Sequence, residues 1–246
     1  MSGILKWFGI AILALIVIAL LVPKPDNQGT ATTTPTPTPG ASVAPGETAN
    51  PTANPTAVTT SERTPGLAFE PITLSATGDS VPRFDIPSDA AAIAVITYTG
   101  SSNFAVFSLA NDGSNNDLLV NTIGNYSGTV LFDTNSGQHS VAFQVTADGP
   151  WTIVIKPLSK ARSWDSSTPL TGVGDDVVRV AGALDGLTTV RITHDGESNF
   201  AVFGYSGSGT DILVNEIGAY DGEVLLADDT LLLEVTADGN WSVTKQ

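Results

Sequence analysis

The sequence predicts an all-β protein: two tandem β-sandwich, jelly-roll-like domains after an N-terminal transmembrane helix and a disordered Thr/Pro-rich linker. Three observations carry that prediction. First, the chain repeats itself. Gly100-Ser101-Ser102-Asn103-Phe104-Ala105-Val106-Phe107 returns as Gly196-Glu197-Ser198-Asn199-Phe200-Ala201-Val202-Phe203, with seven of eight positions identical. Asp117–Leu131 returns as Asp211–Leu225, and Val145–Trp151 as Val235–Trp241. The spacing between copies falls from 96 to 94 to 90 residues, so the second copy keeps the order and has lost short insertions. Second, both copies alternate short β-branched and aromatic runs with Gly, Asn and Asp turns, and neither holds a long segment of helical period. Third, the composition ahead of the first copy changes from apolar to Thr/Pro-rich.

Trp7–Val22 is sixteen residues without a charge, nearly all Ile, Leu, Val and Ala. With Ile4, Leu5 and a snorkelling Lys6, the stretch 4–22 approaches the ~20 residues needed to span a bilayer. Trp7 stands where an interfacial aromatic would. A signal peptide has the same basic start and apolar middle. The run ends in Leu20-Leu21-Val22-Pro23, however, with no Ala-x-Ala pattern, so the segment is expected to remain as a single-pass anchor. Lys6 and the α-amino group lie before it. The composition beyond it is usual outside cells, so the N-terminus is expected in the cytoplasm and the C-terminal domains outside.

Residues 23–66 form the expected stalk. Between 30 and 65 there are twelve Thr and seven Pro, and Val43 and Val58 are the only apolar side chains larger than Ala. Such a chain buries too little surface to offset its ordering entropy. Its prolines keep it extended, at about 3.1 Å per residue.

The first sandwich is expected over 67–158, with strands at 91–99, 104–109, 128–133, 141–146 and 151–155 among seven or eight. Residues 159–171 read as an interdomain linker, and 172–246 as the second sandwich. Ala-Asp-Gly before Trp151 and Trp241 predicts a tight hairpin with Gly at positive φ. Phe104 and Phe200 are the expected core residues, as are Trp151 and Trp241. The pattern Phe-Ala-Val-Phe does not alternate cleanly, which suits a strand covered on both faces.

The chain carries a net charge of −15 and a pI of about 4.1. Residues 67–158 hold eight acids and two bases, and 168–246 hold thirteen and three. A surface of that sign repels nucleic acid and anionic headgroups. The absence of cysteine removes disulfides, thiolate metal sites and cysteine nucleophiles.

The shared motifs are a Gly-Asp start, Thr-x-x-Gly-x-Ser-Asn-Phe, Asp-hydrophobic-Leu-Val-Asn, Ile-Gly-x-Tyr-x-Gly and Ala-Asp-Gly-x-Trp. They resemble the tandem β-sandwich repeat of uncharacterised bacterial envelope proteins and lipoproteins. More distantly they are similar to pre-peptidase C-terminal and carbohydrate-binding-like jelly-roll domains of secreted enzymes. The resemblance covers about 72–158 and 172–246. It implies an accessory role beside catalytic domains, none of which is recognisable here.

Candidate chemistry is sparse. Asp79/Asp175, Asp117/Asp211 and Asp148/Asp238 are matched acids. Two carboxylates flanking a bond would suit a glycosidase, but acids repeated at strand ends and turns suit backbone-bonding turn residues better. His139 has no counterpart and His194 corresponds to Tyr98, with no Ser and Asp set repeated around either. Calcium is the metal that fits best, through the oxygen-rich loop Asn111–Asp117. That loop lacks the Asp-x-Asp-x-Asp-Gly register, and the second copy shortens it to Ser206–Asp211. No catalytic, cofactor or metal residue is therefore assigned. Tyr126 and Tyr220 are expected to cap a bend, and Trp164 to pack in the joint between copies.

The function expected is that of a membrane-anchored envelope protein presenting two non-catalytic binding or structural modules. Its partners would be the membrane, through the N-terminal helix, and a cell-wall glycan or another envelope protein, with no nucleic acid and no cofactor. A carbohydrate-binding module protein is the alternative, and a hydrolytic enzyme a more remote one.

Overall fold

The computed structural model describes residues 68–246, apart from 88–89, 182–183 and 185. The anchor expected over 4–22 and the stalk expected over 23–66 lie outside them. The described residues are all-β. Their regular structure is sixteen strands and a single 3-10 turn at Leu158–Lys160. Among them no helix is long and apolar enough to cross a membrane.

The first copy contributes β1 (Ile72–Thr77), β2 (Ala92–Tyr98), β3 (Asn103–Leu109), β4 (Asn115–Ile123), β5 (Tyr126–Phe132), β6 (Ala142–Thr146) and β7 (Pro150–Pro157). One sheet runs β1-β7-β2-β5 and the other β4-β3-β6, and bridges from Ser80 and Arg83 extend the second beyond β6. The last strand lies between β1 and β2, so its edges are hidden.

The second copy contributes β8 (Arg162–Trp164), β9 (Leu170–Val173), β10 (Asp176–Val180), β11 (Thr188–His194), β12 (Asn199–Ser206), β13 (Thr210–Ile217), β14 (Tyr220–Leu226), β15 (Thr230–Thr236) and β16 (Asn240–Lys245). Its sheets run β9-β16-β11-β14 and β13-β12-β15-β10-β8. Apart from β8, each strand takes the place of its counterpart in the first copy.

Each pair of sheets encloses its own core. Phe104, Phe132, Phe143, Ile96, Ile153 and Trp151 fill the first, and Phe200, Val202, Ile192, Leu233 and Trp241 the second. Phe104 and Phe200 are both fully buried. Ala105 is also buried, so this strand is covered on both faces near its start.

Two expectations need correction. Trp164 does not sit in the joint. It belongs to the second core, where β8 pairs in parallel with β10 and the indole N–H donates to the Thr168 carbonyl at 2.8 Å. The stretch 159–171 is likewise not a free linker: β8 closes one edge of the second sandwich, and Leu170 and Thr171 open β9. Trp164, Ala161 and Leu170 are all buried there, and Arg162 bonds the Thr171 carbonyl and Asp176.

The joint is made elsewhere. Ile93, Leu131, Leu158 and Ala161 meet Val177 and Leu232 in a third apolar cluster, with Ala91 and Tyr205 packed on it. This explains why Ala91–Thr99 is apolar on both faces while its counterpart Thr188–Thr193 alternates. The outer face of β2 is covered by the second sandwich, and the outer face of β11 is not.

Polar contacts fix the register of the joint. The Tyr126 hydroxyl donates to Asp175 at 2.6 Å, and the Thr129 N–H donates to the Asp175 carbonyl at 2.9 Å. Within the second copy, Glu234 accepts from the Tyr205 hydroxyl. Burial pushes the carboxyls of Asp175 and Glu234 above their usual range, and the charges of Asp175 and Asp117 push Glu234 further. A carboxyl raised in the folded state binds its proton more readily there than in the unfolded chain. Its contribution is thus complete at acid pH and is lost as pH rises through the folded value. Glu234→Gln, which keeps an oxygen for Tyr205 and removes the charge, should leave stability almost unchanged below the ordinary glutamate range and raise it at neutral pH. Urea midpoints at three pH values measure this. An equal effect at every pH would contradict it.

Candidate functional site

The matched motifs converge on one end of each sandwich. The Gly-Asp corner follows β1, the Gly-x-Ser-Asn loop joins β2 to β3, the Ile-Gly-x-Tyr loop joins β4 to β5, and Ala-Asp-Gly joins β6 to β7. Four loops far apart in sequence therefore form a single surface, and it occurs twice.

The first set of bonds joins the Gly-Asp corner to the Ala-Asp-Gly-x-Trp hairpin. Asp79 accepts from the Ala147 N–H at 2.9 Å, and Asp175 accepts from the Ala237 N–H at 3.0 Å. The indole N–H of Trp151 donates to the Gly78 carbonyl at 2.9 Å, and that of Trp241 to the Gly174 carbonyl at 2.8 Å. Gly78 and Gly174 have φ of 78° and 69°, the left-handed region that favours glycine. The hairpin glycines expected there, Gly149 and Gly239, are not at positive φ. They are needed for a different reason. A Cβ on Gly149 would overlap the Thr99 carbonyl oxygen, and one on Gly239 would stand 2.6 Å from the Gly196 nitrogen.

The second set organises the Gly-x-Ser-Asn loop. Asp148 accepts from the Ser101 N–H and hydroxyl, while Asp238 accepts from the N–H groups of Glu197 and Ser198 at 3.0 and 2.8 Å. Tyr98 also donates its hydroxyl to Asp148, which holds that carboxyl below its usual range and raises the phenol. In the second copy His194 replaces Tyr98. Its Nε2 lies 3.3 Å from Asp238 without hydrogen-bond alignment, and its Nδ1 is 2.9 Å from the Gly218 carbonyl. Both rings stack on the core phenylalanine, Tyr98 on Phe104 at 4.1 Å and His194 on Phe200 at 4.3 Å.

The remaining candidates separate. Asp117 accepts from the Gln138 side-chain amide at 2.8 Å, and a buried Asp133 accepts twice from Ser140. Among the described residues the Asp211 side chain makes no equivalent bond. Asp112 accepts from the Ser114 N–H and hydroxyl, folding the Asn111–Asp117 loop on itself. Among the described residues no group of three His, Asp or Glu side chains is placed to hold a metal ion. His139 and His194 belong to different sandwiches. Trp151, Trp164 and Trp241 are all buried. Tyr126 and Tyr220 do follow a bend, and each ring lies over the glycine two residues on, where a Cβ would meet the phenol. That is why the motif reads Tyr-x-Gly.

Beside these loops the second sandwich carries an open concavity of about 880 Å3. Its floor is the outer face of β9, β16, β11 and β14: Thr171, Thr193, Ser242, Asp221 and Asn240, with Tyr220 at the rim. Thr193 and Ser242 share a hydrogen bond at 2.7 Å, and Arg191 grips Asp221 through two bonds of 2.7 and 2.6 Å. Arg191 holds the Asp221 carboxyl below its usual range. Sequence reasoning did not single out this face. Its signal was the alternation Thr189-x-Arg191-x-Thr193. A smaller concavity of about 490 Å3 at the joint gathers Lys156, Lys160 and Arg162 near Asp176.

No protein-family model and no curated protein matches the chain. Among solved structures it is similar, at 8% identity, to a mutant regulatory subunit of a cAMP-independent protein kinase A from Trypanosoma brucei bound to cAMP in the A site. That likeness covers 68% of this chain and 74% of the other, with a TM-score of 0.20.

Proposed function

We propose that the chain is a membrane-anchored envelope protein that presents two non-catalytic, jelly-roll-like modules outside the cell on a Thr/Pro-rich spacer. The observation that carries the non-catalytic reading is the use of the matched acids. Asp79, Asp148, Asp175 and Asp238 each accept main-chain N–H bonds that hold the signature loops together. Residues repeated for that purpose preserve a fold rather than a reaction. The strand orders support the jelly-roll reading, because β1, β7, β2 and β5 of the first copy share one sheet and their counterparts β9, β16, β11 and β14 share one in the second. The resemblance to tandem envelope repeats supports the location, together with the charge-free run Trp7–Val22.

A binding or scaffold role makes wall material or an envelope protein the partner. Full-length chain in detergent should pellet with cell-wall fractions, and digesting the glycan should release it if sugar is the ligand. Persistent binding after digestion would identify a protein partner instead. No pelleting with any envelope fraction would remove the binding half of the proposal.

A further inference from the structure

The two sandwiches of one chain are joined face to back, and the same two faces are left over at the ends. At the joint the second copy presents its Gly174-Asp175 corner, Val177 and Leu232 to the outer face of β2 and β5. The repeat supplies an equivalent for several of these partners, while Leu232 corresponds to Ala142, which is buried. The receiving residues Ala91, Ile93, Tyr126, Thr129 and Leu131 correspond to Leu187, Thr189, Tyr220, Glu223 and Leu225, the unoccupied face beside the 880 Å3 concavity. The inserting residues Gly174, Asp175 and Val177 correspond to Gly78, Asp79 and Val81.

We infer that the chain self-associates head to tail, the outer face of the second sandwich of one chain receiving the Gly78-Asp79 corner of the first sandwich of another. The exposed apolar residues support this. Val81, Leu187 and Leu225 are 59%, 65% and 56% exposed, yet their counterparts Val177, Ala91 and Leu131 all pack at the joint. The polar groups match as well. Among the described residues the Tyr220 hydroxyl and the second carboxylate oxygen of Asp79 make no hydrogen bond, while their counterparts Tyr126 and Asp175 bond each other. Arg191 and Glu223 stand where the joint has Val95 and Thr129, so this contact is more polar than the internal one and correspondingly weaker. An interface of this kind uses two different surfaces, so it extends into an open array unless its rotation closes a ring. The inference rests on repeat equivalence and is independent of the proposed location and partner.

The test uses the full chain in detergent, at ionic strength high enough to screen its acidic surfaces. Sedimentation should show association that grows with concentration and extends beyond a dimer. Val81→Asp and Leu225→Asp each place a charge on one face without touching either core. Each should weaken self-association at least about tenfold. An equimolar mixture of the two variants should regain a one-to-one dimer and no longer species, since each retains the face that the other has lost. Circular dichroism and melting checks that both variants fold. Four outcomes would overturn the inference: a monomer at all concentrations, unchanged association in either variant, a symmetric dimer formed by one variant alone, or no pairing in the mixture.

Discussion

Phe200→Ala should cost about 3–5 kcal/mol, the usual figure for a core phenylalanine. Its ring has no exposed surface, lies stacked on His194 at 4.3 Å, and has Tyr220 at 5.9 Å. Phe104 repeats the arrangement with Tyr98 at 4.1 Å and Tyr126 at 6.0 Å, so Phe104→Ala should cost a similar amount. The loss is a large fraction of the roughly 5–15 kcal/mol that holds a domain folded. It should also loosen the loop that Asp148 or Asp238 organises, because the stacked ring is what positions Tyr98 or His194. Urea denaturation of the full chain in detergent measures it. A cost below about 1 kcal/mol would mean that these rings do not anchor the cores.

The second large effect is expected from one methyl group. In Gly149→Ala the new Cβ meets the Thr99 carbonyl, a main-chain atom that cannot swing aside, and Thr99 is tied to Pro150 by its own N–H. The two loops must separate, which breaks the bonds around Asp148. A cost of about 3 kcal/mol is expected, the upper end of the usual range for overpacking. Gly207→Ala is the control. Nothing lies within 4 Å of the added carbon and φ is not positive there, so the change should stay within about 0.5 kcal/mol. Equal effects at the two positions would show that Gly149 is not a point of close approach.

These cases mark what was legible in the sequence. Repetition exposed the duplication, and strand-length apolar runs between Gly and Asp turns exposed the all-β class. Phe104, Phe200, Trp151 and Trp241 could be placed in the cores because large aromatics matched between copies have little other use. The motif glycines could be seen but not explained. A sequence does not distinguish a glycine needed for positive φ, such as Gly78, from one needed for close passage of another loop, such as Gly149. The edge strand β4 was hidden because its polar start, Asn115-Asn116-Asp117, reads as loop. The strand β8 was hidden because three residues carry no period, and its only signal was Trp164.

The joint was half legible. Ala91–Thr99 lacks the alternation of Thr188–Thr193, which means that both of its faces are covered, but nothing local names Val177 and Leu232 as the cover. The outer-face site was illegible for the opposite reason. Arg191, Thr193 and Asp221 are ordinary solvent-facing residues one by one, and only the pairing of β11 with β14 and β16 brings them together.

The central claim, an anchored chain whose two modules stand outside the cell, is tested most directly by adding protease to intact cells that make the full-length protein. The composition of 23–66 makes that segment the expected cleavage region. External protease should release a soluble fragment beginning near residue 67 and carrying both modules, while a short N-terminal piece stays with the membrane. A chain that survives until the cells are lysed, or that is already soluble before protease is added, would contradict the account.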